Sequence, residues 1–332
     1  MKRTRSWWLI TLLTLLALVA AACGDDDDEA DVATDDATEA TETSESETED
    51  GTESESETEE GSESGSGGAS GDPAALIEES ETLTRVVDEG TMTVGTKFDQ
   101  PLFGQVDPTA GGEPVGFDVE IAKLIVDRIA EAAGTDVEAK FVETPSAIRE
   151  TAITDGTVDM VVATYTINDA RKELIAFAGP YYVAGQDIMV AADDDSIGGV
   201  DDLAGKTVCS VQGSTSVENI REMAPEATVV EYDVYSKCAD DLGNGRVDAV
   251  STDNVILVGL VDQSNGAFKL VDNPFTEEPY GIGVPKDDQA MRDFVNDVLE
   301  EIFESGEWAE AYESTVGTVA ESTPEPPEVD RY

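Results

Sequence analysis

The stretch of residues 116–133 reads GFDVEIAKLIVDRIAEAA, and it decides the fold class. Its apolar residues recur with the period of a helix, and one stripe carries Ile121, Leu124, Ile125 and Ile129. Short runs typical of strands precede and follow it, and the alternation continues along the chain. These runs are residues 92–96, 137–142, 160–163, 188–191, 207–211, 228–232 and 249–252. Strands that alternate with helices predict an α/β fold with parallel sheets.

The region of residues 84–316 is too long for one small core and suits two lobes. Open α/β sheets bind ligands outside the carboxyl ends of their strands. Two sheets that face each other would therefore enclose a cleft, where we expect the functional residues.

The N-terminal end indicates export. Lys2, Arg3 and Arg5 precede an apolar run that ends in Ala22 and Cys23, as in a lipoprotein signal peptide of residues 1–22 with lipidation at Cys23. The alternative is an uncleaved membrane anchor, although the run is shorter than the roughly 20 residues that span a bilayer. Residues 25–72 contain 21 acidic and no basic residues. We therefore expect residues 23–72 to be a disordered tether and residues 317–332 a disordered tail.

Charge and cysteine content narrow the possible partners. The formal net charge is −55, and −37 remains without the signal peptide and the tether. Such a negative field repels nucleic acid, and an anionic ligand would need local cations to bind. A saline habitat is an open explanation for the acidity.

The cysteines suggest one disulfide. With Cys23 assigned to lipid, Cys209 and Cys238 form an even pair, and we predict a disulfide between them, with two buried thiols as the alternative.

The segment from Ala163 to Arg171 places two threonines and one guanidinium at a corner between a strand and a helix. A guanidinium can bind a planar carboxylate through two parallel hydrogen bonds, so Arg171 is the first candidate for a carboxylate ligand. The alternative is a helix-surface arginine near Asp169 and Glu173.

Four segments together resemble the extracytoplasmic solute-binding proteins of ABC importers, in the polar amino-acid family (family 3), and most closely the glutamate-binding lipoproteins of actinobacteria. They are residues 116–121, 163–171 and 213–215, and Asp253. The similarity extends over residues 94–317. It implies a type II periplasmic-binding-protein-like fold in which crossover segments at residues 179–189 and 273–284 join two α/β lobes. Lobe 1 would then consist of residues 73–184 and 279–316, and lobe 2 of residues 185–278.

The resemblance also implies a ligand set. The α-carboxylate of an amino acid would be bound by Arg171, Thr164, Thr166, Ser214 and Thr215, and its ammonium by Asp253 rather than by Asp248, which serves a turn. Ser146, Arg149 and Lys97 would meet a distal carboxylate, and Phe98 would stack on the carbon chain of the ligand. Alternatives remain for several of them: Ser214 and Thr215 as helix caps, Arg149 and Lys97 as solvated charges, and Phe98 as a core residue.

The expected function is hinged capture of an amino acid, with glutamate first, aspartate second and glutamine third. The receptor would be a monomer anchored by lipid to the outer face of the cell membrane, and would deliver its ligand to a permease with a cytoplasmic ATPase. A sensor lipoprotein is an alternative, and a dehydratase-like enzyme is another. The chain contains no histidine, so a catalyst would depend on carboxylates, and we expect no cofactor and no metal.

Overall fold

The computed structural model describes residues 71–107, 112–320 and 322–332. The predicted signal peptide, Cys23 and nearly all of the predicted tether lie outside the described residues. Strands are β1 Thr91–Thr96, β2 Asp99–Gln100, β3 Gly104–Gln105, β4 Glu138–Glu143, β5 Met160–Val161, β6 Ala176–Ala184, β7 Gln186–Ala191, β8 Thr207–Val211, β9 Thr228–Tyr232, β10 Ala249–Asp253, β11 Phe268–Leu270 and β12 Glu278–Val284. Helices are α1 Pro73–Glu79, α2 Glu81–Glu89, α3 Phe117–Ala133, α4 Arg149–Thr154, α5 Asp169–Lys172, α6 Thr215–Met223, α7 Tyr235–Gly243, α8 Asn254–Gln263, α9 Gln289–Ser305 and α10 Glu307–Ser314.

Two five-stranded sheets form the centres of two α/β lobes, as predicted. Lobe 1 contains the sheet of order β4-β1-β5-β12-β6, and lobe 2 the sheet of order β11-β7-β10-β8-β9. The predicted parallel pairing joins β4, β1 and β5 in lobe 1 and β10, β8 and β9 in lobe 2. The sheets are mixed, because β12 runs antiparallel to β5 and β6, and β7 runs antiparallel to β10 and β11. Strands β7 and β12 overlap the two crossover segments. Each is the strand by which the chain enters the other lobe, and it runs opposite to the parallel strands of that lobe.

The crossovers are continuous with the sheets. Strand β6 ends at Ala184 and β7 begins at Gln186, so only Gly185 separates the two lobes there. A Cβ atom on Gly185 would lie 2.9 Å from the carbonyl oxygen of Thr276, which belongs to the return segment. The two crossover segments therefore pack against each other, and a larger residue at position 185 would push them apart.

Helix α3 is confirmed from Phe117 to Ala133, and its apolar stripe is buried against the sheet of lobe 1. Residues Phe117, Trp308 and Tyr312 pack edge to face or stacked, which fixes helix α10 on the same lobe. Lobe 2 contains the predicted disulfide. Cys209 on β8 and Cys238 on α7 are bonded, with their Cα atoms 5.5 Å apart in the core.

The C-terminal segment differs from its prediction. The described part of residues 317–332 is not a disordered tail but lies along lobe 1 and covers the edge of β6. The Asp330 N–H donates to the carbonyl oxygen of Gly179 at 2.8 Å, and the Tyr332 hydroxyl accepts from the Phe177 N–H at 2.9 Å. Arg331 pairs with Asp297. The composition suggested disorder because the segment has few apolar residues, but it is fixed by backbone bonds and ion pairs instead.

Candidate functional site

A small cavity lies between the lobes. Its wall combines hydroxyl, amide and charged side chains from both lobes. They are Gln100, Ser146, Arg149, Thr164, Thr166, Ser214, Thr215, Ser216, Tyr235, Thr252, Asp253 and Ile256. Seven of the ten predicted ligand-binding residues are in this wall, and Arg171, Lys97 and Phe98 are not.

Asp253 ends strand β10 and is 4% exposed. Its Oδ2 accepts from the Tyr280 hydroxyl at 2.5 Å, whereas its buried Oδ1 has no hydrogen-bond partner among the described residues. Burial raises the pKa of this carboxyl to about 7, and the nearby carboxylate of Glu278 adds to the rise. A buried acid with one unsatisfied oxygen is suited to accept a hydrogen bond from a cationic donor.

Thr164 occupies a left-handed backbone conformation with φ 45°, which is unusual for a β-branched residue. Asp118 of α3 holds it there, because its Oδ2 accepts from the Thr164 N–H at 2.9 Å and its Oδ1 from the Tyr181 hydroxyl. Burial raises the pKa of Asp118 to about 6. The bend turns Thr164 and Thr166 towards the cavity, so Asp118 supports the site without lining it.

The Arg171 guanidinium lies beside the cavity. It donates to the carbonyl oxygens of Thr166, at 2.6 Å, and of Gly213, at 3.2 Å, so it connects lobe 1 to lobe 2. Its Nε is 3.3 Å from Glu150, and the group lies over the ring of Tyr165. The alternative of a solvated surface arginine is contradicted, since Arg171 is 7% exposed.

Two further cations are buried near it. The Lys97 ammonium donates to the Ser146 hydroxyl at 2.7 Å. Arg149 donates to the carbonyl oxygen of Ala163 at 2.9 Å and lies 3.9 Å above the Tyr165 ring. Burial and the charge of Arg149 lower the pKa of Lys97 well below its usual value. Burial and the charge of Arg171 lower the pKa of Arg149 to about 10. Neither is a solvated charge.

Lobe 2 contributes the start of helix α6. Ser214 is its N-cap and accepts from the Val217 N–H at 3.3 Å, so the capping alternative holds for Ser214 while the residue also lines the cavity. The Thr215 hydroxyl donates to Glu278 at 2.9 Å. Gly213, with φ 76°, lets this turn approach lobe 1, because a Cβ there would be 2.7 Å from the Cα of Ala147.

Several residues of the site were not anticipated. Glu278 is 3% exposed and accepts hydrogen bonds from Thr215, Asn219 and Thr276. No local motif marks it, because Thr215 and Asn219 lie on a distant segment. Gln100 lies three residues after the predicted ligand residue Lys97, and this proximity was the only weak indication of its place in the site. Phe98 is half-buried and outside the cavity wall, so a stacking role has no support from its position here.

Within the described parts of the chain, no helix has both the length and the apolar character needed to cross a membrane.

Comparison with known proteins agrees with this geometry. The family model described as "Bacterial extracellular solute-binding proteins, family 3" matches residues 92–318. The chain is 40% identical over 258 residues to the glutamate-binding protein GluB of Corynebacterium efficiens, covering 74% of this chain and 87% of that protein. It is 38% identical over 252 residues to the ABC transporter glutamine-binding protein GlnH of Bacillus subtilis, covering 76% and 90%.

A similar solved structure is an ancestral arginine-binding protein bound to arginine. Its TM-score is 0.63 at 37% sequence identity, and the match covers 68% of this chain and 98% of that one. The relatives are named as binding proteins, and the neighbouring structure shares the two-lobed fold. The chain therefore belongs to family 3 of the bacterial extracellular solute-binding proteins.

Proposed function

We propose that this protein captures a polar amino acid between its two lobes, with glutamate as the preferred ligand, aspartate second and glutamine third. The observation that carries the proposal is Asp253. Its buried Oδ1 is unsatisfied and lies in the wall of the inter-lobe cavity, where the α-ammonium of an amino acid would complete its hydrogen bonding. The α-carboxylate would bind the hydroxyls of Thr164, Thr166 and Ser214, beside the Arg171 guanidinium.

The choice of glutamate rests on the buried cations. Lys97 and Arg149 are 3% and 2% exposed, and no carboxylate lies within salt-bridge distance of either among the described residues. Two buried cations without an anionic partner are costly, and a distal carboxylate would compensate them. The similarity to a glutamate-binding protein supports the same ligand. Glutamine is favoured by the similar glutamine-binding relative, and Ser146 offers a neutral partner for an amide.

Delivery to a membrane permease with a cytoplasmic ATPase follows from family membership. We further propose that Cys23 carries a lipid, that an acidic tether separates the folded region from the outer face of the membrane, and that the receptor is a monomer. A sensor lipoprotein would use the same capture step, and co-purification with a permease rather than with a sensor kinase distinguishes the two roles.

A dehydratase-like enzyme remains the rival from another class. The relatives are named as binding proteins, and the buried acids Asp253 and Asp118 are already bonded to tyrosine hydroxyls. Incubation with prephenate or arogenate tests the rival, and we expect no product.

The direct test is calorimetry with protein that has been unfolded and refolded to remove any ligand carried through purification. We expect heat with glutamate, weaker binding of aspartate and glutamine, and closure in solution. The Asp248→Asn variant serves as the control, since Asp248 caps the N–H of Thr207 outside the cavity. Absence of heat with millimolar glutamate would defeat this ligand assignment.

A further inference from the structure

A hairpin of lobe 1 contacts lobe 2 beside the ligand cavity, to whose wall it contributes Gln100. It consists of β2, β3 and the turn between them, residues 99–105, and is called the latch hairpin below. The Asp99 Oδ2 accepts a hydrogen bond from the Tyr235 N–H at 2.8 Å. Tyr235 begins helix α7, and the N-cap position of that helix is Val234, which provides no side-chain cap.

Helix α7 therefore receives its N-terminal acceptor from the other lobe. The first N–H groups of a helix need acceptors, and a helix N-terminus favours negative charge. Most helices obtain this acceptor from their own N-cap residue. In this protein Asp99 supplies it, so the cap is complete only when the two lobes are together.

Two other contacts of the latch hairpin lie on helix α8. A Cβ atom on Gly259 would be 2.7 Å from the carbonyl oxygen of Pro101, so only glycine permits this approach. The side-chain amides of Gln105 and Gln263 exchange two hydrogen bonds, at 3.2 and 2.8 Å. Asp99, Pro101 and Gln105 are all outside the cavity wall. These three hairpin residues thus contact lobe 2 without lining the cavity.

We propose that the latch hairpin stabilises the closed form, with Asp99 as a helix cap supplied across the lobes and Gly259 as the position that allows the approach. The inference rests on the proposed function in one respect, which is that closure is the capture step. Asp99 is a positioning residue: it sets how long a bound ligand is retained without contacting it. Any interaction made only in the closed form shifts the equilibrium towards that form and slows ligand release.

The first experiment compares glutamate dissociation from the full-length protein by stopped flow. The Asp99→Ala variant loses the acceptor, and we expect release about 5 to 10 times faster, since loss of an N-cap has that effect on a helix equilibrium. The Asp99→Asn variant keeps an acceptor and should remain within about 2-fold of the wild type, because Asn caps as well as Asp. The Asp262→Ala variant removes an exposed acid of α8 and controls for charge.

The Gly259→Ala variant separates closure from folding. Alanine favours a helix over glycine, so thermal stability without ligand should be unchanged or higher. The new methyl group would overlap Pro101 only in the closed form, and we expect glutamate affinity to fall about 10-fold or more. A variant that loses affinity without losing stability cannot be explained by misfolding.

A ligand-free measurement distinguishes failure of the latch from failure of the ligand assignment. In the full chain with Cys23→Ser, Gln105→Cys and Gln263→Cys, a short bismaleimide links the two new thiols when the lobes close. We expect the linking rate without amino acid to fall about 5-fold with Asp99→Ala and to recover with Asp99→Asn. Equal rates in all three backgrounds, or an Asn variant as slow as the Ala variant, would overturn the latch. If the linking rates differ as expected but the protein does not bind glutamate, only the assignment of glutamate as the ligand is overturned.

Discussion

The substitution Asp253→Asn should weaken ligand binding while making the unliganded protein more stable. The carboxyl of Asp253 is buried, and burial raises its pKa from 3.8 to about 7. An acid with a raised folded-state pKa destabilises the fold once it ionises. The cost begins above the unfolded pKa, grows with pH and becomes constant above the folded pKa.

The size of this stability cost follows from the pKa shift of Asp253. Three pKa units correspond to about 4 kcal/mol at pH 8. In the unliganded protein the lobes open and water reaches the carboxylate, so we expect only about half of this cost to apply. The Asp253→Asn variant should therefore gain ~2 kcal/mol in its free energy of unfolding. Asn keeps an acceptor for the Tyr280 hydroxyl. For a folded region of this size the melting temperature should rise by about 4 to 8 °C. At pH 5 the gain should fall below about 1 kcal/mol, since the wild-type group is then mostly protonated.

The same substitution should lower ligand affinity although it raises the stability of the unliganded protein. Without the carboxylate, the ligand ammonium is buried beside a neutral amide, which costs about 3 kcal/mol, or roughly 100-fold in affinity. Thermal unfolding of refolded protein at both pH values and calorimetry with glutamate measure the two effects. The Asp248→Asn variant, at an exposed turn, should show neither. Unchanged glutamate affinity in Asp253→Asn, or no gain in stability at pH 8, would refute the reasoning.

Three further predictions concern other parts of the molecule. The Lys97→Met variant should bind glutamate about 30-fold or more weakly but glutamine within about 3-fold, because only the distal carboxylate needs the charge, and competition calorimetry measures the ratio. The Tyr332→Ala variant removes an acceptor for the Phe177 N–H and two cation–π contacts, so the melting temperature should fall by about 4 to 8 °C, roughly 2 kcal/mol, with unchanged glutamate affinity. Replacing Cys209 and Cys238 by Ala opens a loop of sequence separation 29 and should cost about 3 kcal/mol, measured by urea unfolding against wild type with and without reductant.

The elements of the fold could be predicted where a local period exists. Helix α3 begins and ends as its apolar stripe indicates, and strands β8 and β9 have the predicted bounds. Helices α1, α2 and α8 were not anticipated; the last is hydrophobic on nearly every face, and such a helix has no stripe to reveal it. The antiparallel direction of β7 and β12 could not be predicted, because the direction of these strands depends on where the chain crosses between the lobes.

The residues of the cavity wall could be predicted in part, because several of them follow strands and turns with recognisable chemistry. Thr164, Thr166, Ser214 and Asp253 stand at such places and line the cavity. Glu278 and Tyr280 were missed, since their importance comes from contacts with residues more than 25 positions away. The docking of Tyr332 was missed for the same reason, as its partners Phe177 and Lys172 lie in a different part of the sequence.

The buried charges explain how a ligand can drive closure. In the closed arrangement without ligand, the charge of Arg149 acts against that of Lys97, and the charge of Glu278 acts against that of Asp253. Asp99 offsets part of the first effect, and Arg149 and Arg171 offset part of the second. Burial adds a desolvation cost for each group, so the empty closed form is disfavoured relative to an open form in which water reaches these groups. A zwitterion with a second carboxylate would compensate both kinds of charge at once, and its affinity would thus differ strongly between the two forms. That difference is the only source from which a ligand can shift the equilibrium, and shifting it from 1:99 to 99:1 requires about 5.5 kcal/mol. The latch hairpin stabilises the closed form by the same free energy with or without ligand, so it sets the ratio of closed to open protein before the ligand binds. The buried charges make the change in that ratio depend on the ligand.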